Sequence, residues 1–528
     1  MPTVKQLDRK HPEWQLRSDQ WENIRLLYEG AIEMKNNGDN FVPRRPKEMF
    51  DVFYERQRRL TYQNILQSAL GWYLGKLFQN DPEIKPSAKE NNSDDRFAAF
   101  LQDCDQCGGT FVNVAGRQLL EMMMLYRRAF VLIDKPKRPD PSVATINTRA
   151  DEKALGLDQP YVVLYEPKNV FNWQLDKYGN LKWIIIKTVE DDQDDPLGPS
   201  QRVANWYVFD RQKFQHFQFK SPEKDTRNIA AFWKDSVLDD ENAQPELVDA
   251  GPHALSAFDQ VPVRCCELPL SLWFANRTYL QILEHVDQYN GYTWKLFMSN
   301  YPQLVIQTER ELTGITKSEV SFVQLDPNDK IFYLEPDGKS LDHSRMQLMD
   351  LRQEVYRGFH LQAQAKQNTA TADGASGYSK EMEMAPAVDM LAAFGDILRA
   401  QQQLILTDYK KCAGMPYDGT DQPDVNGYRF ETKPIMQNIA VAQAVVDLGL
   451  PDKSPTLERY LDKQVAIAAM DGANEDDKEA ALKEIDEAPT RKEQKDAEQQ
   501  AQADAFQKSF QRNTAKQVIA GEQAAVAA

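Results

Sequence analysis

Two long helical patterns separated by a short insert constrain this chain more than any other feature of its sequence. From Leu272 to Asn300 the polar residues Arg277, Gln281, Glu284, Gln288, Gly291 and Lys295 recur at alternating spacings of four and three. Tyr279, Ile282, Leu283, Val286, Tyr289 and Phe297 fill the opposite face. A helix of that extent runs roughly 40 Å at 1.5 Å per residue. It cannot fit a compact core unless it lies along a partner. Residues Ser344 to Ala363 supply one, with Leu348, Leu351, Val355 and Phe359 on a single side. The insert between them, Tyr301 to Asp342, holds strand-like runs at Gln303–Gln307 and Lys330–Leu334, a short helix near Thr316–Val320, and turn signals at Asp326-Pro327 and Asp337-Gly338.

The flanking regions differ in texture. The N-terminal third reads helical: Ser18 to Lys35 carries Trp21, Ile24, Leu27, Tyr28, Ala31 and Ile32 at helical spacing. A second helix is expected over Lys47 to Gln79, charged at Glu55, Arg56, Arg58 and Arg59 and apolar from Ala69 to Phe78, so that its second half is buried on most sides. Asn80-Asp81-Pro82 ends it. A helix over Thr110–Arg128 then feeds a strand over Ala129–Ile133. From Tyr161 to Leu268 short β-rich runs take over. Val170–Leu175 and Leu181–Ile186 form one hairpin about Tyr178-Gly179-Asn180, and Trp206–Phe209 and Phe214–Phe219 form another about Asp210-Arg211. This is an antiparallel subdomain, not a βαβ array. After the second long helix, Lys366 to Gly377 is small, polar and glycine-containing and reads as a loop. A third long helix follows to about Lys411, with Pro386 in its first turn or kinking it. A strand over Tyr428–Thr432, helices from Ile435 to about Ala469 and an Ala/Gln/Glu/Lys-rich tail close the chain.

Composition narrows the function classes. Five cysteines in 528 residues form no disulfide framework and suit a reducing compartment. Neither a signal-peptide pattern nor a membrane span is expected, since the most apolar run, Trp183–Ile186, is far too short. A formal charge of −17 argues against a protein that grips nucleic acid by neutralising phosphates, but it allows a channel that DNA passes without sticking. Catalytic patterns fail on inspection. Gly71-Trp72-Tyr73-Leu74-Gly75-Lys76-Leu77 lacks the phosphate-loop spacing and the following hydroxyl. Cys104-Asp105-Gln106-Cys107 has no second ligand pair, so a helix–helix junction ending at Gly108-Gly109 is the simpler reading. Glu83-Ile84-Lys85 after Asp81 matches nuclease spacing, yet such triplets are common, and an exposed edge strand accounts for it. The six histidines, His285 on the flank of the long helix among them, form no catalytic grouping. Arg56, Arg58 and Arg59 and the pair Arg127-Arg128 could touch DNA or form solvated faces; contacts between subunits are the favoured expectation. No cofactor or metal is expected, and the chain is read as non-enzymatic.

The order of these elements, together with short signatures, resembles the portal (head–tail connector) proteins of tailed bacteriophages of the siphophage type. The likeness covers about His11 to Tyr460. It is carried by His11-Pro12-Glu13-Trp14 with Trp21, Ile24, Tyr28 and Gly30, and by the helices ending before Asn80-Asp81-Pro82-Glu83-Ile84. Tyr165-Glu166-Pro167-Lys168-Asn169-Val170-Phe171-Asn172-Trp173 with Gly179-Asn180-Leu181 adds to it. So do Val261-Pro262-Val263 before a long helix, the small-residue loop, and Leu448-Gly449-Leu450-Pro451 ahead of Thr456-Leu457-Glu458.

The resemblance implies an α+β, mainly α fold. Its parts would be a helical wing (1–135), an antiparallel β wing (136–268), a stem helix (269–300), a small α/β clip (301–342) and a second stem helix (343–363). A tunnel loop (364–378), a long helix returning to the wing (379–434), and a helical crown with a low-complexity tail (435–528) complete it. It further implies a homo-oligomeric ring, about twelve subunits, at one capsid vertex of the virion, assembled in the host cytoplasm. Double-stranded DNA would pass through it without sequence-specific contacts. Its partners would be a terminase ATPase, a head–tail adaptor, the major capsid protein and a scaffolding protein. Lys366, Gln367, Asn368, Thr369, Ser376 and Lys380 would face DNA from the tunnel loop. Arg277, Gln281, Glu284, Gln288 and Lys295 would form a polar stem stripe facing either the channel or a neighbouring subunit. Glu309, Arg310, Glu311, Lys317, Asp326 and Asp329 would meet the adaptor at the clip. Two other classes stay open: a different capsid-associated structural or adaptor protein, and a metal-dependent nuclease whose activity would need Glu83 or Lys85.

Overall fold

The computed structural model describes residues 1–87, 95–136, 156–192, 201–220, 243–299, 303–307, 330–334, 339–362, 377–415 and 422–428. Beyond these it describes chiefly 454–469, 475–488 and 499–508, with a few isolated positions between. They form two units, Met1–Phe430 and Glu431–Ala528.

The first unit opens with α1 (Val4–Leu7), α2 (Pro12–Glu29), α3 (Ala31–Asn36), α4 (Phe50–Arg58) and α5 (Ile65–Leu77). The single helix expected over 18–35 divides at Gly30. There the backbone turns to φ 66°, and a Cβ would sit 2.9 Å from the Asn64 side chain. Ile32, read as part of the buried stripe, is exposed. The single helix expected over 47–79 also divides, because side chains in the break have better partners outside it. The Tyr62 hydroxyl donates to the Leu27 carbonyl (2.8 Å), and Asn64 donates to the Tyr28 carbonyl (2.7 Å). The Asn64 carboxamide oxygen also accepts from Gln67 N, capping α5. The break is thereby tied to the end of α2. α5 buries Ile65, Leu66, Ala69, Leu70, Tyr73, Leu74 and Leu77 on one side, while Gly71 and Gly75 are exposed.

Next come β1 (Glu83–Lys85), α6 (Asp95–Gln102), a π-helical turn (Asn113–Gln118), α7 (Leu119–Tyr126) and β2 (Arg128–Asp134). β3 (Tyr161–Tyr165) pairs with β2, not with the hairpins that follow it. β9 (Val263–Glu267) flanks β2 on the other side, giving an antiparallel order β3-β2-β9. β2 is buried along nearly its whole length. A second antiparallel sheet runs in order β4 (Val170–Leu175), β5 (Leu181–Asp192), β6 (Gln201–Asp210), β7 (Phe214–Lys220), β8 (Glu246–Gly251). Both expected hairpins are present at their expected turns. α1 packs on this sheet through Val4 and Leu7 against Ala204, Trp206 and Phe217. Asp8 fastens it, accepting from Trp206 Nε1 (2.7 Å) and Lys187 Nζ (2.9 Å).

Two of the sequence signatures meet in space. His11 caps α2 through Glu13 N, and its ring stacks on Trp173 at 3.8 Å. Trp14 Nε1 donates to the Lys168 carbonyl (3.0 Å). The Arg128 guanidinium lies over Trp173 and pairs with Glu13 (2.9 Å) and Glu267 (2.7 Å), and Arg127 pairs with the same two carboxylates. Arg127 and Arg128, expected between subunits, therefore join α2, β2 and β9 within one chain.

α8 (Phe274–Arg277) and α9 (Tyr279–Ser299) follow, then the hairpin β10 (Gln303–Gln307) and β11 (Lys330–Leu334), α10 (Lys339–Gly358), α11 (Gly377–Ala413) and β12 (Asp424–Asn426). The helix expected from Leu272 breaks at Thr278, which is buried where α10 ends. A Cβ on Gly358 would lie 2.2 Å from Thr278 Cγ2, so only glycine allows this approach. Pro386 lies inside α11 and not in its first turn. β12 pairs with β1; of the strand expected at Tyr428–Thr432 only Tyr428 lies within the described residues, as a buried ring against Phe78. α11 runs beside α5, β2 and the π-helical turn, stacking Tyr409 on Phe100 at 3.8 Å.

In the second unit, α12 (Pro455–Ala469) and α13 (Glu475–Glu487) pack together, with Lys463 Nζ 2.7 Å from Asp486. Most of the 435–454 helical segment lies outside the described residues. The architecture is α+β and mainly helical, with antiparallel sheets throughout.

Candidate functional site: a helix pair carrying a β-hairpin

The paired helices expected from the sequence are present. α9 turns Ile282, His285, Val286, Asn290 and Gly291 inward, and α10 turns Leu348 and Val355 inward. One end of the pair is rooted in the core. Phe274 stacks on Phe359 at 4.5 Å and meets Tyr73 edge-on at 5.1 Å, and the Tyr73 hydroxyl donates to the Phe359 carbonyl (2.7 Å). Towards the other end, Lys295 Nζ donates to Ser344 Oγ (3.0 Å). Here the chain leaves α9 for the β10–β11 hairpin, registered from Gln303↔Leu334 to Gln307↔Lys330, and returns into α10.

α9 is flanked on two sides. On one lies α10, whose Arg352 approaches His285. Burial first, and this arginine second, push the imidazole down to about 4, so it is neutral at pH 7. On the other lies the α4 segment, held by an arginine. Arg56 is 1% exposed. Its Nε and Nη2 donate to the two Glu48 carboxylate oxygens (3.0 and 2.9 Å), Nη1 donates to Asn290 Oδ1 (3.1 Å), and Nη2 also reaches the Pro43 carbonyl (2.9 Å). These hydrogen bonds from Arg56, ahead of burial, hold the Glu48 carboxyl below its ordinary value. Arg59 pairs with Glu55 and lies 3.7 Å over Phe297. Arg56, expected at a subunit boundary, is instead buried and joins α4 to α9 within the chain, whereas Arg59 touches α9 through Phe297 and stays exposed.

The stem stripe is only partly continuous. Gln281, Glu284 and Lys295 are exposed and Gln288 is half-buried, donating to Glu284 Oε1 (2.7 Å). Gly291 is buried against Arg45. Arg277 sits across the break in α8, where it contacts Met390 and His360 (3.0 Å) and joins the core. His285, expected on the flank, is buried and stacks beside Tyr289.

The clip residues Glu309, Arg310, Glu311, Lys317, Asp326 and Asp329 lie outside the described residues. So do Lys366, Gln367, Asn368, Thr369 and Ser376 of the loop. Lys380 is within the backbone of α11.

The chemical alternatives are placed as follows. Cys104 is buried, and burial pushes its thiol up to about 12, whereas Cys107 is exposed. Asp105 closes the turn by accepting from Cys107 N and Gly109 N (2.9 and 2.8 Å). Glu83 is the exposed residue of the short, otherwise half-buried strand β1 and pairs with Lys85 (2.9 Å). Among the described residues no group of three His, Cys, Asp or Glu side chains is placed to hold a metal, and no helix is long and apolar enough to cross a membrane.

The sequence reading missed that α4 is inside out. Phe50, Tyr54 and Arg58, four residues apart, face solvent, while Arg56 is buried. The spacing was visible. What hid its meaning is that an arginine inside and aromatics outside invert the usual rule. Neither a family model nor a curated protein matches this chain.

Proposed function

We propose that the chain is a portal-type subunit: a non-enzymatic component of a ring at a capsid vertex, through which double-stranded DNA enters and leaves. One observation carries the reading. Two paired helices are rooted by aromatic packing in an α+β body at one end and are continuous with a small antiparallel hairpin at the other. On this reading the pair is the stem wall, the hairpin is the adaptor-binding clip, and the segment between α10 and α11 enters the channel. The formal charge of −17 favours passage over retention, because many tight phosphate contacts would resist translocation. ATP hydrolysis then belongs to a separate motor.

The deciding experiment is negative-stain imaging of the purified protein combined with a solution mass measurement. Rings with an axial hole and about a dozen subunits are expected; a monomer or dimer under all conditions overturns the reading. Within an assembled ring, deleting residues 366–378 is expected to impair DNA packaging or retention while leaving assembly intact. Unchanged packaging and retention would remove the loop from the mechanism.

A further inference from the structure

The two larger sheets end in β3, β9, β4 and β8, and an outermost strand leaves a row of main-chain donors and acceptors to be satisfied. Among the described residues, three of these four edges are capped or blunted. Val162 N of β3 donates to the Cys104 carbonyl, and His11 N donates to the Phe171 carbonyl of β4 (2.8 Å each). β8 leaves Val248 out of its register with β7, and it carries Glu246 and Asp249; a bulge and charges both discourage further pairing. β9 is the exception. Leu268 N donates to the Arg127 carbonyl and Ile133 N to the Pro262 carbonyl (2.8 Å each), which sets the ladder so that Arg264 and Cys266 bond to β2. Val263, Cys265 and Glu267 therefore turn their N–H and C=O groups away from β2. Among the described residues, none of these groups has a hydrogen-bond partner on that side.

Val263 and Cys265 line a cavity of about 730 Å³, together with the turn Tyr178–Leu181 and with Leu404 and Thr407 of α11. Its charges are balanced. Arg264 and Lys411 both approach the Asp408 carboxylate, which is 1% exposed, and Arg211 pairs with Asp176 (2.9 Å) and Asp259 (3.6 Å). The cavity thus selects neither an anion nor a cation. What it leaves to be satisfied is main chain, at strand spacing.

We propose that this cavity is a docking slot for an extended, uncharged peptide segment of another protein, which adds as a strand to the free edge of β9. The unpaired groups identify the occupant, because only a second main chain offers alternating carbonyls and N–H groups at the same repeat. β9 has five residues, so the segment spans about 17 Å at about 3.3 Å per residue. A second copy of this chain is a poor donor: the other edges of its two larger sheets are capped or blunted, and its own β9 lies within the same cavity. The inference goes beyond the portal reading and does not depend on it.

The test is selection from a displayed library of short random peptides against the full-length chain, with the enriched sequences then synthesised. They are expected to be uncharged and to slow hydrogen exchange at the Val263, Cys265 and Glu267 amides. Cys265→Pro removes an N–H that takes no part in pairing with β2, a change that an edge strand tolerates. It is expected to weaken peptide binding about tenfold or more. Cys265→Ala keeps that N–H and is expected to bind like the wild type. Thermal melting verifies the fold of each variant. If Cys265→Pro does not fold, Leu404→Trp carries the comparison, since it narrows the slot from α11 without touching β9.

A selection that enriches nothing overturns the proposal, as do peptides that leave the three amides unprotected or bind the slot variant as tightly as the wild type. Equal loss in Cys265→Ala would trace the effect to the thiol and overturn it too. Amides already protected in the unassembled chain, without peptide, would mean that a segment of the chain itself covers β9. Protection that appears only when copies assemble would give the edge to a second copy. Either result removes the outside partner, and neither bears on whether the chain forms rings.

Discussion

Phe274 and Arg56 are both closed off from solvent, and they are held there in opposite ways. Phe274 sits among Tyr73 and Phe359 at ring distances of 5.1 and 4.5 Å, in a cluster where burying each aromatic side chain contributes about 1.5–3 kcal/mol. Arg56 is surrounded by Glu48, Asn290 and the Pro43 carbonyl, and its position depends on every guanidinium donor finding an oxygen. The first region tolerates shape-preserving exchanges because dispersion is non-directional. The second tolerates none that remove a donor while leaving the acceptors buried. The apolar core therefore fixes that the chain folds, and the polar clamp fixes where α4 lies against α9.

The sharpest ways to separate these two regions begin with the largest effects. Arg56→Ala strips the pair while leaving Glu48 and Asn290 without their donor, and a loss of about 3–5 kcal/mol is expected in chemical denaturation. Glu48→Gln, which keeps the shape, should lose less and should also lose part of the acid sensitivity. The Glu48 carboxyl is held below its ordinary value of 4.5, so its contribution is present above that pH and disappears as pH falls through the lower folded value. Acid midpoints that are identical in wild type and Glu48→Gln would discount the clamp.

Phe274→Ala is expected to cost about 3–5 kcal/mol by the cavity it leaves, with little pH dependence; a pH-dependent loss would show that the core is not purely apolar.

His285 gives a smaller, pH-gated effect. Its imidazole is neutral in the folded chain down to about 4, while the unfolded chain takes up a proton below 6.5. Above pH 6.5 it contributes no pH dependence. Between 6.5 and 4 stability falls, by roughly 3 kcal/mol at the lower limit. His285→Phe should flatten that interval in a denaturation series run across it, and an unchanged slope would place the titration elsewhere.

Gly358→Ala drives a methyl into Thr278 where α10 meets the α8–α9 break, and about 1–3 kcal/mol of destabilisation is expected from thermal melting. The smallest effect belongs to the outer layer. Met346→Ser should move the stability of the chain by less than about 0.5 kcal/mol, and a large loss would mean that this face is packed within the chain.

Much of the local structure was legible because it is written in short-range patterns. The β10 and β11 runs, the two hairpins of the large sheet and the extent of α11 follow from alternation, helical period and turn residues. The breaks were not legible. Residues 60–64 carry no proline or glycine, and the helix stops there because Tyr62 and Asn64 find backbone carbonyls of α2 at Leu27 and Tyr28. Thr278 likewise ends a helical run only because Gly358 arrives against it. The candidate site was legible as a helix pair with a hairpin insert. The identity of its α4 flank was not, because a charged residue reads as surface until its partners at Glu48 and Asn290 are known.

The sequence by itself determined the element order, the antiparallel β texture, the acidic balance and the helix–hairpin–helix unit, since each depends on neighbours a few residues apart. Tertiary structure alone decided that Arg56, Arg127 and Arg128 serve contacts inside the chain, that His285 is buried and neutral, and that Phe50, Tyr54 and Arg58 point outward. For the buried arginines and the histidine the physical reason is the same. A long polar side chain gains little from its sequence neighbours, and its place is set by whichever oxygen or ring from a distant segment satisfies it once water has been excluded.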